Sequence, residues 1–361
     1  MKKGKICFWQ LCIGLFLTLI FFSCVEEETF SDNPKGNFQA LWKILDEHYC
    51  FFPQKGIDWK SVYDKYEPRF NDEMSERQQF DTMAEMLSEL RDGHVNLYST
   101  FNTARYWAWR DNFQQNYSDS LERVYLGKDY GLVSGLQYKI LDDSIAYLRC
   151  ESFKNGISGS SLDEILLYFK DCKGLIIDVR NNGGGALTNA EKLAARFTDK
   201  ELLVGYMQHK TGRGHADFSP LKPQMLSPVK GVIWLRKTIV LTNRSVYSSA
   251  NEFVKYMKCC PNVRIVGDRT GGGSGLPFSS ELPNGWSVRF SACPMYDRDK
   301  AMTEFGINPD FRVNLSDDDF KRKKDTIIEF AKQLITLQGE NYSTMERHFT
   351  KFGRCEQLGS E

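Results

Sequence analysis

Apolar residues recur at three- and four-residue steps from Asn37 to about Leu97. "NFQALWKILDEHYCFF" sets Phe38, Leu41, Leu45 and His48 on one helical face, and "ERQQFDTMAEMLSELRDGH" does the same with Phe80, Met83, Met86, Leu87 and Leu90. Pro53, Gly56 and Pro68 mark turns between them. The spacing predicts a small helical cap over 37–105. The aromatic and basic stretch "TARYWAWRDNFQQNY" that follows reads as a connector packed over a cleft, or as a crossing strand.

From about Tyr130 the period changes. "GLQYKILDDSIAYLRCESF" alternates as a hairpin would, turned at Asp142-Asp143. "SLDEILLYFKDCKGLIIDVRNNGGG" then gives a helix, a continuous apolar strand of the kind buried on both faces, and a glycine loop. Helix and strand alternate again through "NAEKLAARF", "GVIWLRKTIVLTNRS", "ANEFVKYMKCC" and "VRIVGDRTGGG". That order predicts an α/β core over 106–340 with a mostly parallel sheet. Strand-rich "LPFSSELPNGWSVRFSACPMY" and an amphipathic helix, "KKDTIIEFAKQLITLQ", close the core before a tail over 341–361. The charge run "DDDFKRKKD" reads as a solvated helix start, acids first and lysines later.

The first residues follow another rule. Lys2, Lys3 and Lys5 precede the apolar run "ICFWQLCIGLFLTLIFFSC", which reads as a secretory signal over 1–23, with a retained anchor helix as the alternative. The polar, acidic "VEEETFSDNPKGN" suits a flexible tether over 24–36. Taken whole, the composition is that of an ordinary globular chain, 41% hydrophobic and 26% charged, with 47 basic and 47 acidic side chains. With no basic excess, nucleic acid is not indicated as a partner. The cysteines lack CxxC spacing, so no zinc site is expected.

Candidate chemistry lies at the ends of the predicted strands. Three glycines, Gly183 to Gly185, precede a helix and allow backbone N–H groups to cradle an anion or oxyanion; a tight turn is the bland alternative. No GKS or GKT and no GxGxxG spacing supports a phosphate loop. "GDRTGGGSG" ends a second strand in the same manner, and open α/β sheets bind ligands at such a crevice. "TNRSVYSSANEF" ends a third and opens a helix. A serine there either caps the helix or exposes its hydroxyl as a nucleophile beside the next residue's N–H. Local rules leave Ser245, Ser248 and Ser249 interchangeable.

In order, "GLIIDVRNNGGGALTNA", "VLTNRSVYSSANEF", "VRIVGDRTGGGSG" and "EFGINPD" resemble the C-terminal processing peptidase family, which includes tail-specific proteases and the tricorn core. The resemblance covers roughly residues 80 to 315. It implies a crotonase/ClpP-like α/β core with a cap and a serine peptidase needing no metal or cofactor; no insert resembling a PDZ domain is seen along the chain. Counting back three residues from Glu252 gives Ser249 as nucleophile, with Ala250 and Gly185 as oxyanion donors and Gly184, Asp178, Arg180 and Ser274 in support. The tail-specific branch activates its serine with a lysine, but Gly273 and Ser274 stand at that place here. The tricorn branch uses a histidine and a downstream glutamate, which His94 of "RDGHVNLY" and Glu304 of "TEFGINPD" match. An imidazole can take a serine proton at neutral pH, and a carboxylate can fix its tautomer. Glu304 has several ways to serve: touching His94, acting through water or Ser274, or binding a substrate amine. Asp92 is its rival.

"FFSC" resembles a bacterial lipoprotein signal, which implies lipidation of Cys24 and a membrane-anchored protein of the cell envelope, acting on peptide or protein substrates. Two other functions remain on this fold. One is a non-catalytic protein binding peptides or hydrophobic ligands, with "RYWAWRDNF" lining the site. The other is an acyl-CoA enzyme sharing the oxyanion chemistry.

Overall fold

The computed structural model describes residues 29–337. The sequence-based expectations for the signal, Cys24 and the tail at 341–361 lie outside them. Among the described residues no helix is long and apolar enough to cross a membrane.

The frame is a seven-stranded sheet in the order Phe311–Arg312, Val263–Gly267, Thr238–Thr242, Gly174–Asp178, Ile145–Cys150, Leu136–Leu141, Gly131–Val133. Pairing is parallel from the first of these to Ile145–Cys150, and antiparallel beyond it. Strict alternation sorts its side chains. Ala146, Leu148, Leu175, Ile177, Val240 and Ile265 enter one core with the helices Gly159–Tyr168, Leu187–Ala194 and Ser249–Lys258. Ile145, Tyr147, Ile176, Ile239, Leu241 and Val266 enter another with the helix Thr326–Thr336. The central strands are buried on both faces, which is why they read as unbroken apolar runs. The hairpin turns where expected, with Asp143 at φ 65°.

A second, six-stranded sheet is wholly antiparallel. Its central strand, Ser287–Tyr296, pairs with Gly275–Glu281, Asn96–Tyr98 and Leu202–Met207. Its apolar face and the N-terminal helices share a third core containing Phe38, Leu41, Trp59, Phe80, Met83, Val288 and Phe290. The helices therefore sit on the second sheet. That sheet was not legible as a unit, because its strands come from four separated segments. The three cores belong to the cap and to the faces of the two sheets, so no inserted PDZ-like unit has a core of its own among the described residues.

Two local expectations are corrected. His48 is exposed, since it is the last residue of the helix, beyond the turns over which Phe38, Leu41 and Leu45 are buried. The first helix spans Pro34–His48 and so begins within the stretch expected as tether. Asn33 caps it by accepting from the Gly36 amide at 2.7 Å, and proline suits its first turn.

The final helix is tied to the sheet by charge. Asp325 caps it through the Ile327 and Ile328 amides and also accepts from Arg180 at 2.9 Å, in a cluster where Arg180 and Asp178 are fully buried. Removing one member of a buried pair leaves the other charge uncompensated. Asp325→Ala should therefore cost about 3 kcal/mol or more in urea unfolding, beyond the roughly 1 kcal/mol of a lost cap. Asp325→Asn, which keeps the cap, should recover only the smaller part.

Candidate active site

Parallel pairing brings the carboxyl ends of Gly174–Asp178, Thr238–Thr242 and Val263–Gly267 to one edge, so the two glycine loops and the serine turn are neighbours. Backbone hydrogen bonds then lock them in series. Tyr247 N–H donates to Asn182 O at 3.0 Å, Ser248 N–H to Gly272 O at 2.9 Å, and Gly273 N–H to Glu304 O at 3.1 Å. All four motifs read from the sequence thus belong to one assembly.

Ser248 occupies the strand-to-helix turn with φ 60° and ψ −128°, a conformation that costs about 1–3 kcal/mol for a residue with a side chain. It lifts the hydroxyl out of the turn: Ser248 Oγ lies 2.9 Å from His94 Nε2. Ser249, expected at that place, is the first residue of the helix. It is 5% exposed, and its Oγ has no hydrogen-bond partner among the described residues. Counting back from Glu252 misses by one because the helix starts after the turn, and the turn alone decides which hydroxyl projects. The missing signal was conformational. The last residue before this helix is not an ordinary cap, since its side chain makes no capping hydrogen bond.

The backbone donors shift in the same sense. The Ala250 N–H, expected to face an oxyanion, donates to Tyr247 O at 3.2 Å. The Ser249 N–H, at the helix start, has no acceptor among the described residues. Gly184 lies against this turn. A Cβ there would sit 2.9 Å from Ser248 Cβ and 3.0 Å from Ser249 N, and its φ of 97° suits glycine. The Gly184 N–H is taken by Asn182 Oδ1 at 2.9 Å, whereas that of Gly185 has no acceptor among the described residues. Asp178 and Arg180 hold the glycine loop from behind, paired with each other and with Tyr147, Asp325 and the Asn116 carbonyl.

His94 is buried, stacked obliquely against Tyr247 at 5.0 Å between ring centroids. Burial pushes its pKa down to about 4, against the pull of Asp92 and with help from Arg289 and Lys55. Neither candidate carboxylate bonds to its ring. Asp92 accepts from the His94 backbone N–H at 2.8 Å and from the Tyr49 and Ser291 hydroxyls, so it fixes the residue and not the tautomer. Glu304 accepts from the Ser274 N–H at 2.8 Å and pairs with Lys55 at 2.9 Å. The Ser274 hydroxyl bonds to Thr303 and Asn251, so it relays nothing to His94. His94 Nδ1 has no partner among the described residues.

Sequence reasoning missed Lys55. It ends a one-turn helix of the N-terminal region, yet its side chain is only 3% exposed and also lies 3.4 Å from Asp92. Two carboxylates share this one ammonium. Burial resists every charge here, but its two acidic partners hold Lys55 above its usual range, while Lys55, His94 and hydrogen bonds keep Asp92 below its own. Glu304 bears the cost: burial, with repulsion from Asp92, pushes it up to about 7 despite Lys55. Nothing in "FFPQKGIDW" distinguishes this lysine from a solvated one at a helix end.

The sequence matches Peptidase family S41 over residues 144–313 and the Tricorn protease C1 domain over 30–88. The chain belongs to peptidase family S41. It is 49% identical to a solved candidate peptidase from Parabacteroides merdae ATCC 43184, with a TM-score of 0.82 over 86% of this chain and 99% of that one. It is 24% identical to the carboxy-terminal processing protease CtpA of Bacillus subtilis over 49% of this chain and 36% of that protein. With the Tricorn protease of Thermoplasma acidophilum it shares 25% identity over 47% of this chain and 15% of that protein. The aligned part thus spans about a third or less of these two curated relatives. The expected family, with its α/β core and helical N-terminal region, is the one found, and S41 relatives with serine protease names make this a serine peptidase family.

The geometry separates the two serines. Ser249→Ala should leave folding unchanged or slightly stabilised in urea unfolding, because it removes a buried hydroxyl that has no partner. Gly184→Val should cost several kcal/mol, since φ 97° and contacts under 3.0 Å admit no branched side chain without moving the Ser248 turn.

Proposed function

We propose that this S41 chain is a serine-type peptidase of the bacterial cell envelope, anchored by lipid at Cys24, with Ser248 as nucleophile and His94 as general base. The observation that carries this reading is the 2.9 Å approach of Ser248 Oγ to His94 Nε2, on a turn strained to present that hydroxyl. A structural serine needs neither the strain nor the imidazole. The envelope location rests on the apolar leader and "FFSC", and the substrate class, peptides or proteins, on the family.

In the reaction His94, neutral well below pH 7, accepts the Ser248 proton on Nε2 as Oγ attacks the scissile carbonyl carbon. The carbonyl π-electrons move to oxygen, and the N–H groups of Ser249 and Gly185 are the donors proposed to receive that oxyanion. The imidazolium returns its proton to the leaving amine as the C–N bond breaks, leaving an ester on Ser248. Water, deprotonated by His94, hydrolyses the ester by the same steps. The imidazolium is buried, so the Asp92 carboxylate lowers its cost through the field without a hydrogen bond to the ring, and ionised Glu304 offsets the Lys55 ammonium that opposes it. Metal and cofactor have no step in this route.

A fluorophosphonate probe should label wild type and Ser249→Ala but not Ser248→Ala, read by intact mass. Labelling of Ser248→Ala, or none of wild type, overturns the nucleophile and returns the chain to a binding role. The pH profile of kcat/KM tests the carboxylates. Glu304 ionises near pH 7, so activity should rise through that range, and Glu304→Gln should remove the inflection. Loss of the ammonium beside Glu304 raises that carboxyl further, so Lys55→Met should move the inflection upward by about one unit or more. An unmoved midpoint excludes Glu304 as the titrating group.

A further inference from the structure

Beside the serine turn runs a ladder of aromatic rings and guanidinium groups that the proposed chemistry does not use. Tyr247, next to Ser248, stacks on Trp109 with centroids 4.5 Å apart, and Trp107 follows at 6.4 Å. Arg110 lies over both indoles, 4.5 Å from Trp107 and 4.8 Å from Trp109. Arg105 approaches Trp107 at 6.0 Å, and Arg244 stands 5.9 Å from Trp109 and 4.2 Å from Phe113. The inner end is seated firmly: a Cβ on Gly93 would meet Trp109 Nε1 at 2.7 Å, and one on Gly271 would meet its ring at 2.4 Å. The outer end faces solvent, with Trp107 49% exposed.

The cations of this ladder differ from others in the protein. Arg149, Arg180 and Arg196 each pair with an aspartate or glutamate. Among the described residues Arg105, Arg110 and Arg244 pair with none: Arg244 donates only to the carbonyls of Trp109, Thr270 and Phe305. Asp111, beside Arg110 in sequence, forms no ion pair with them, and Asp268, which acts on Arg244 and Arg269, is matched by Arg312 at 3.3 Å. Burial pushes Arg110 down, and burial with repulsion from Arg269 pushes Arg244 down despite the pull of Asp268. The Arg110 guanidinium, set over both indoles and making no side-chain hydrogen bond among the described residues, keeps a fork of donors that fits a carboxylate.

We propose that this ladder is a substrate subsite for a peptide carboxylate, held about three residues from the scissile bond. The distance follows from the two ring steps, since extended chain advances about 3.3 Å per residue. The carboxylate is either an Asp or Glu side chain or the substrate's own C-terminus. The subsite rests on the peptidase reading for its substrate, but its binding is measurable without turnover.

Ser248→Ala protein, full length, is titrated with three fluorescent peptides of one neutral sequence: amidated; amidated with one internal Asp; and with a free C-terminal carboxylate. At least one acidic peptide should bind tighter than the neutral amide, and the preference should fall with added salt. Arg110→Gln, whose side chain makes no hydrogen bond among the described residues, should weaken that peptide roughly fivefold and leave the neutral one unchanged. Arg110→Lys should recover part of it. The peptide that gains identifies the source of the carboxylate. Equal affinity for all three, or no change in Arg110→Gln, overturns the subsite. Fluorophosphonate labelling of wild type tells the two failures apart: a labelled protein without acidic preference loses only the subsite, and an unlabelled one that prefers acidic peptide loses only the peptidase.

Discussion

Everything at this site depends on the backbone of one residue. Ser248 stands at φ 60° and ψ −128°, where an isolated chain would not remain, and three loops hold it there. The restraint is built from amide bonds alone: Tyr247 to Asn182, Ser248 to Gly272, Gly273 to Glu304. The first two join the loops after neighbouring parallel strands and the third ties the last of these loops to the segment before Phe311–Arg312, so the register of the sheet sets the pose of the hydroxyl. The glycines are needed because this crowding leaves no room for a Cβ, as the contacts under 3.0 Å at Gly184 show. Strain at the turn is thus balanced by the sheet, whose alternating burial of Leu175, Ile176 and Ile177 supplies the stability it spends.

Two buried charge clusters flank the turn, and they are built differently. Behind the glycine loop, Arg180 is matched by Asp178 and Asp325 with direct hydrogen bonds on all sides, an arrangement that fixes structure. On the other side Lys55 faces both Asp92 and Glu304, which is one positive charge for two acids. Such a deficit cannot keep both acids fully ionised in a buried place, so one pKa is displaced toward neutrality. The same burial that makes this cluster costly makes it responsive to pH near neutrality.

What was legible in the sequence was what repeats. Unbroken apolar strands before glycine loops gave the parallel sheet, and helical spacing of Phe80, Met83, Met86 and Leu90 gave the cap. The antiparallel sheet was not legible, because Asn96–Tyr98, Leu202–Met207 and Ser287–Tyr296 meet only through tertiary pairing. His94 and Glu304 were singled out through their motifs and lie within the assembly, while the hydroxyl beside His94 is that of Ser248, one position before the serine expected there. A dihedral angle, not a residue type, separates Ser248 from Ser249. Lys55 had no signal at all, since its role follows from distant acids that fold against it.

That distance carries the last point. Asp92, which grips the backbone of His94, is itself held by Tyr49 and Lys55 from the N-terminal helices and by Ser291 from the antiparallel sheet. His94 is therefore positioned through the cap, while Ser248 is positioned by the parallel sheet. Neither half holds a complete site, and the serine and histidine meet only if the two cores pack in register. The match of residues 30–88 to a domain of its own, beside the one over 144–313, fits a division in which the smaller piece contributes Tyr49 and Lys55 around Asp92 and the larger one the serine turn.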